Sequence, residues 1–360
     1  MAKLSECCQK ASSNIKQSDL ENCNGIHPIF GASGFIKNVD FYAQEKPYIA
    51  VVKDGAGVGR VMKLPAYTSV IGTLQYIIPN DDIDVDYLAY AMEHMNLSKY
   101  YMGAAIPHIY FKDYGKEELK VHDTNKQKEI VCVLNKVNTL IANRKTQLTK
   151  FDELVKARFV ELFGDVALNP NGYPVKDFDE ISVLITDGEH ATPRRTEEGI
   201  YLLSARNVLN HTLQLDDVDH IDEEEYNRIA RRVIPQAGDV LISCSGSIGR
   251  CCVVPDGLKF QMVRSAALIR FDDTINPIFA EWLITSDDLQ RQIAQSATQS
   301  SQANLFQGKI RKLRGYVPPM ELQNQFAAFV EQTDKSKLVV QQSLEKLETL
   351  KKSLMQKYFG

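Results

Sequence analysis

The sequence predicts an α+β protein: two pseudo-symmetric α/β globular domains separated by two long helices that pack as an antiparallel coiled coil. Two observations predict it. Leu154 to Gly164 reads LVKARFVELFG, and Leu350 to Gly360 reads LKKSLMQKYFG, so the chain closes on Phe-Gly twice at an offset of 196 residues. Residues 123–163 also hold neither Pro nor Gly while carrying a long heptad of apolar side chains. Self-similarity at a fixed distance marks one structural unit built twice.

The offset of 196 runs upstream without a gap. Val121 answers Val317, Gln127 answers Gln323, Ile130 answers Phe326, Val133 answers Phe329, Leu148 answers Leu344 and Phe163 answers Phe359. A length held this constant suits a helix, because one inserted residue turns every later side chain by about 100°. Farther upstream the offset drifts, which implies loop insertions in the second copy. Gly57-Val58-Gly59-Arg60 resembles Ser247-Ile248-Gly249-Arg250 at 190, and Lys3-Leu4-Ser5-Glu6 loosely answers Asp177-Phe178-Asp179-Glu180 at 174.

In chain order, residues 1–121 form the first domain. Tyr48 to Val52 and Leu74 to Ile78 read as strands between Gly, Pro and Asn-Asp turns. Asp84 to Lys99 reads as a helix with Tyr87, Leu88, Ala91 and Met95 near one face. Residues 122–164 form the first long helix. Ile130, Leu134, Val137, Ile141, Arg144, Leu148, Phe151, Val155, Arg158 and Leu162 step by four and three throughout, a coiled-coil seam on a helix about 60 Å long. Residues 165–316 repeat the mixed character. Gly199 to Leu203, Val240 to Ser243 and Ala266 to Ile269 read as strands, and Pro277 to Leu289 as a helix around Trp282, the single tryptophan. Residues 317–360 form the second long helix, opened by Pro318-Pro319. Its seam is Phe326, Val330, Thr333, Lys337, Val340, Leu344, Leu347, Lys351, Leu354 and Tyr358. An apolar stripe of that length needs a partner. Pairing the two helices antiparallel covers both, and homodimerisation through each helix is the alternative.

Composition narrows the class. The 360 residues are 44% hydrophobic with a net charge of −4. No run of eighteen apolar residues offers a membrane span, and the polar start MAKLSECCQKASSN lacks a secretory core, so a cytoplasmic protein is expected. The seven cysteines show no Cys-x-x-Cys and complete no zinc pattern with His. They read as free thiols, and no metal site is expected. Charge is uneven: Asp216 to Glu225 is strongly acidic, Lys309 to Arg314 basic. A basic face on an acidic chain is compatible with nucleic acid.

No catalytic pattern emerges. Gly55 to Arg60 fails the P-loop because no Gly-Lys-Ser/Thr follows, and it reads as a tight turn after a strand. Its echo ends, like the first copy, on an Arg, which adds a phosphate contact as a second role. There is no nucleophile elbow and no His-Glu-x-x-His, and Asn169-Pro170-Asn171-Gly172 lacks the closing aromatic of an adenine-methylating loop. The acid–His group Asp187, Glu189 and His190 reads as a hydrogen-bonded loop. Basic and planar polar side chains do gather at comparable places in both copies, and these types contact phosphates and base edges. The candidate DNA-binding residues are Lys53, Arg60, His108, Tyr110 and Lys112 in the first copy. In the second they are His190, Thr192, Arg194, Arg195, Arg206, Asn207, Ser247, Arg250, Gln302, Asn304, Lys309 and Arg311. The candidate residues for helix pairing or subunit docking are Ile130, Leu134, Val137, Ile141, Leu148, Phe151, Val155, Phe326, Val330, Val340, Leu344, Leu347 and Leu354.

Several stretches carry a family resemblance. They are KDGAGVGRV (Lys53–Val61), AIPHIYFKDYGKEELKV (Ala105–Val121), ITDGEHATP (Ile185–Pro193), GIYLLSARNV (Gly199–Val208) and VPPMELQNQFAAFV (Val317–Val330). Together with the repeat, they make the chain resemble, over all 360 residues, the specificity subunit of type I restriction-modification systems. The resemblance implies a non-catalytic subunit with two target recognition domains, each reading one half of a split double-stranded DNA sequence. It implies that the helices set the spacer and dock two methyltransferase subunits, with nuclease-translocase subunits as an optional further partner. S-adenosylmethionine, ATP and Mg²⁺ are then expected on the partners, and no cofactor in this chain. One departure is that the first helix opens on Val121-His122-Asp123 without the Pro-Pro of the second. A specificity subunit of a methylation-only system and a coiled-coil adaptor that binds no DNA are the alternative readings.

Overall fold

The computed structural model describes residues 1–102, 107–297 and 304–360. Its longest elements are the helices Thr124–Phe163 and Met320–Phe359, each of 40 residues. The chain separates into two compact units, Met1–Gln147 with Val340–Gly360, and Leu148–Val339. Each long helix thus contributes one segment to each unit.

The first unit is layered around a four-stranded antiparallel sheet in the order Cys8–Ser12, Leu74–Pro79, Tyr48–Val52, Val61–Leu64. The strand Tyr48–Val52 is buried at every position. Successive side chains of a strand point to opposite faces, and the packing follows that rule. Ile49 and Val51 join the helix-side core with Tyr87, Leu88 and Ile130, whereas Tyr48, Ala50 and Val52 join a second core with Ile29 and Val39. The second core lies under a small sheet in the order Gly34–Val39, His27–Gly31, Ser69–Val70, whose last pair is parallel. On the helix side, Asp84 caps the helix Val85–His94 by accepting from Asp86 N and Tyr87 N. The expected helix Asp84 to Lys99 ends earlier because Asn96 turns into the left-handed region at φ 51°, followed by a 3-10 turn over Leu97–Tyr100.

The second unit has the same topology. Its four-stranded antiparallel sheet runs Ser182–Asp187, Ala266–Phe271, Val240–Ser243, Cys251–Val253. Its small sheet runs Asp219–Ile221, Ile200–Leu203, Phe260–Met262, again with a parallel last pair. Val240 and Ile242 face the helix-side core while Leu241 faces the other. The expected helix Pro277 to Leu289 is two helices, Pro277–Ile284 and Asp287–Ala297.

Even the weakest echo in the sequence has a structural counterpart. Ala2–Lys3 pairs with Glu118–Leu119, and Val175–Asp177 with Arg314–Tyr316. Leu4 N donates to Glu117 O at 2.8 Å, and Phe178 N donates to Leu313 O at 2.9 Å.

The start of each long helix is pinned in the same way. The Gln127 side chain is buried; its Oε1 accepts from Asp84 N at 2.8 Å and its Nε2 donates to Asp82 O and His122 O at 3.1 and 2.9 Å. Gln323, also buried, accepts from Asn276 N at 2.8 Å and donates to Thr274 O and Pro318 O at 3.0 and 2.8 Å. In both units one amide ties the helix start to the cap of the short helix beside the central sheet. The missing Pro-Pro of the first copy therefore leaves this anchoring unchanged.

Within each unit the two helix segments run antiparallel. In the first, Ile130 and Leu134 share a core with Met355 and Phe359, and Lys145 reaches Glu348 at 3.2 Å. In the second, Phe326 packs against Phe159 and Phe163 at ring separations of 5.3 and 5.6 Å, and Lys337 reaches Asp152 at 2.6 Å. Of the expected seam, Ile130, Leu134, Val137, Val155, Phe326, Val330 and Leu344 are buried, while Ile141, Leu148, Phe151, Val340, Leu347 and Leu354 are half-buried. The last turns depart from the heptad. The buried residues there are Phe159 and Phe163, not Arg158 and Leu162, and Met355 and Phe359, not Leu354 and Tyr358. A seam of period 3.5 serves a facing helix; once the helix packs onto a sheet-and-helix core, spacing by four tracks the broader surface better.

Candidate nucleic-acid interface

In each unit a glycine-rich hairpin leaves the central sheet and is hydrogen-bonded to the segment that precedes the long helix. In the first unit Gly59 N donates to Val52 O at 2.8 Å, closing the turn between Tyr48–Val52 and Val61–Leu64. Gly59 has φ 86°, and a Cβ there would stand 2.4 Å from Ser98 N, so the turn needs glycine for conformation and for space. Gly55 N donates to Pro107 O at 2.9 Å and Ile109 N to Lys53 O at 3.0 Å. In the second unit Gly249 N donates to Ser243 O at 2.9 Å and Leu305 N to Cys244 O at 2.9 Å.

This geometry gathers the candidates of the first unit. Lys53 and Arg60 sit on the hairpin, and His108, Tyr110 and Lys112 on the adjoining segment. Asp54 holds His108 through a side-chain hydrogen bond. The His108 and Tyr110 rings are 4.1 Å apart, and Lys112 Nζ lies 5.1 Å from the Tyr110 ring. Arg60 Nη1 donates to Ala32 O at 2.9 Å, at the end of the strand His27–Gly31.

In the second unit Arg250 takes the position of Arg60. Its Nη2 donates to Ala205 O and its Nε to Ser247 O, both at 3.3 Å. Ala205 adjoins Arg206, so the hairpin is joined to the loops of the small sheet. There the acidic stretch and the basic cluster meet. Arg195 Nε donates to Asp219 Oδ2 at 2.8 Å, and Arg206 Nη2 to Asp219 Oδ1 at 2.9 Å. Arg194 Nη2 reaches Asp222 and Glu224, each at 2.8 Å. Burial opposes ionisation of Asp219, but the bonds and charges of Arg195 and Arg206 outweigh it and hold the carboxyl below its ordinary range. His190 is exposed with Asp187 2.7 Å from its Nε2, and Thr192 is exposed.

Other candidates fall differently. Asn207 is buried, and its amide is consumed inside the chain. Its Oδ1 accepts from Ser204 N at 2.9 Å, and its Nδ2 donates to Gln214 O and Asp217 O at 3.0 and 2.9 Å. It is a loop pin with no group left for a base, a correction to the expectation from residue type. Arg311 is likewise engaged, paired with Asp179 and donating to Ile185 O at 2.9 Å. Ser247 lies on the exposed hairpin, where its carbonyl accepts from Ser243 Oγ at 2.6 Å. Asn304 bridges Ser245 as His108 bridges Asp54, and Lys309 is half-buried nearby. Gln302 lies outside the described residues.

Two features escaped the sequence reading. Phe306 is 62% exposed and Tyr110 47% exposed; the offset of 196 relates them, and each caps the short helix that follows it. The edge of the first small sheet carries a ring chain, with His27 4.7 Å from Tyr42 and Tyr42 5.2 Å from Tyr67. Among the described residues no group of three or more His, Cys, Asp or Glu side chains is placed to hold a metal ion, and no helix is long and apolar enough to cross a membrane.

Both units carry loop-borne basic and aromatic groups, and comparison with known proteins shows what this arrangement is similar to. Residues 1–150 match the family described as type I restriction modification DNA specificity domain. Over its whole length the chain is similar to the S subunit of a type I restriction-modification system from M. genitalium, with 16% identity, 100% of this chain and 95% of that chain covered, and a TM-score of 0.66. It is also similar to a chain from a structure of type I R-M complex assembly and conformational transition, with 13% identity, 99% and 96% covered, and a TM-score of 0.58. None of the curated proteins matches significantly. The family match is confined to the first 150 residues, and over its full length the chain shares the fold of these S-subunit structures.

Proposed function

We propose that this chain is the sequence-reading subunit of a type I restriction-modification complex and recognises a split double-stranded DNA target, one half-site per unit. The observation that carries this reading is the contrast between what repeats and what does not. Sheet order, the glutamine anchor and the arginine-tipped hairpin recur in both units. The exposed groups on the small sheets do not: rings in the first, arginines and carboxylates in the second. A repeated frame with unlike reading edges suits a target whose halves differ in sequence, since base identity is read by side chains at the groove.

The two long helices fix the spacer between the half-sites and dock two methyltransferase subunits. Leu140, Leu154, Leu338, Val339 and Leu350 support a docking role, being apolar and exposed on those helices. Methyl transfer, with S-adenosylmethionine, and any ATP- and Mg²⁺-dependent cleavage belong to partner subunits, and the chain itself is non-catalytic. The complex works in the cytoplasm. Methylome sequencing of a strain carrying the system tests the reading. The expected result is methylated adenine in a two-part motif with a fixed non-specific gap; a single continuous motif refutes it. Binding by the complex should also weaken steeply with salt, as phosphate-dominated association does.

A further inference from the structure

We infer that Asp219 determines specificity by holding Arg195 and Arg206 as two oriented forks that read guanine in the half-site of the second unit. The inference deepens the proposed DNA-recognition function and rests on it. Asp219 opens the strand Asp219–Ile221, and its backbone is fixed by pairing with Leu202 of Ile200–Leu203. Each carboxylate oxygen holds one arginine: Oδ2 accepts from Arg195 Nε at 2.8 Å and Oδ1 from Arg206 Nη2 at 2.9 Å. Asp217 lies 3.8 Å from the same Arg206 nitrogen.

This arrangement leaves donors free. Arg195 is held at Nε, so its two Nη groups are unspent, and both arginine side chains are 48% exposed. A guanidinium presents a planar fork that matches O6 and N7 of guanine in the major groove. A long side chain held in advance by a carboxylate loses less rotamer freedom on binding than an untethered one. Asp219 carries one negative charge against two guanidinia, and the more distant Asp217 stands off the second. Arg194 differs: two carboxylates, Asp222 and Glu224, meet on its Nη2, and it is left out of the assignment. Arg206 adjoins Ala205, whose carbonyl takes Arg250 of the glycine hairpin, so the trio adjoins a hairpin that has a counterpart in the first unit. The counterpart in the first unit is the turn that Arg60 reaches, Gly31 to Phe35, and it contains no arginine, so the arginine pair belongs to one half-site.

The test is methylome sequencing of strains carrying the whole system with the natural chain, Asp219→Asn, Arg195→Lys or Arg206→Lys. Thermal melting of each purified chain serves as the folding control. Asp219→Asn keeps the size but loses the charge that seats both arginines, and the lysine variants keep the charge but lose the fork. The expected result is a guanine in one half-site of the natural motif. All three variants then relax discrimination at guanine positions of that half-site by roughly tenfold or more, while the other half-site stays unchanged. A split motif that all three variants leave intact overturns the role of Asp219 and leaves the recognition function standing. So does a split motif with no guanine in either half. A continuous motif overturns both.

Discussion

At the scale of single residues, the buried glutamines show how one side chain positions a whole element. Gln127 and Gln323 each satisfy one backbone N–H and two carbonyls at a helix start. Gln323→Leu keeps the bulk but strands one buried and two part-buried polar groups, and a buried group left unpaired costs about 1–3 kcal/mol. The urea midpoint should therefore fall by an amount equivalent to at least about 2 kcal/mol; a shift within experimental scatter would show that water replaces the amide. Cysteine chemistry is equally residue-bound. Burial pushes the thiols of Cys8 and Cys244 up to about 12, whereas Cys132 is exposed on the first long helix. Only the thiolate alkylates readily. At pH 8 iodoacetamide should label Cys132 in the folded chain and reach Cys8 and Cys244 only on denaturation, as peptide mass mapping would report.

At the scale of elements, the two glycine hairpins look alike in sequence but differ in tolerance. A Cβ on Gly59 meets the backbone of Ser98 at 2.4 Å, which the 3-10 turn beside it fixes; a Cβ on Gly249 meets the flexible end of Gln290 at 3.0 Å. Both sit at φ near 85°, so both alanine variants carry the strain of a left-handed residue, about 1 kcal/mol. Gly59→Ala adds a backbone clash and should lower the melting temperature clearly more than Gly249→Ala; equal shifts would mean the Ser98 turn yields. The sequence made the long helices legible, because a missing Pro and Gly and a fixed offset are local signals. It also exposed the central strands Tyr48–Val52 and Val240–Ser243. It hid what depends on distance along the chain. The parallel partner Ser69–Val70 is too short to show a pattern. Arg195 and Asp219 are 24 residues apart, so the acidic run and the basic cluster read as separate features. Asn207 was misread because residue type does not reveal burial. Phe306 was the avoidable miss, since the same offset that paired Gln127 with Gln323 points to it from Tyr110.

At the scale of the whole molecule, the proposed function makes helix length a measured quantity. Both long helices have 40 residues, and the offset of 196 holds across them without a slip, whereas the loops upstream drift by many residues. Loops tolerate insertion at little cost, so a constant length in one place and a drifting length in another separates what is constrained from what is not. If the helices set the gap between half-sites, lengthening both should lengthen the gap. Four residues inserted at equivalent places, after Ile141 and after Lys337, add about 6 Å of helix, at most about two base pairs of duplex at 3.4 Å each. The insertion advances the seam by only about 40° beyond a full turn, a rotation that half-buried seam residues such as Ile141 and Val340 absorb more easily than a fully packed core. The expected motif keeps both half-sites unchanged and widens only the non-specific gap, by one or two base pairs in the methylome. An unchanged gap would remove the helices from the spacing role and move it to the recognition units. An altered half-site would mean that the insertion had disturbed the reading surfaces themselves.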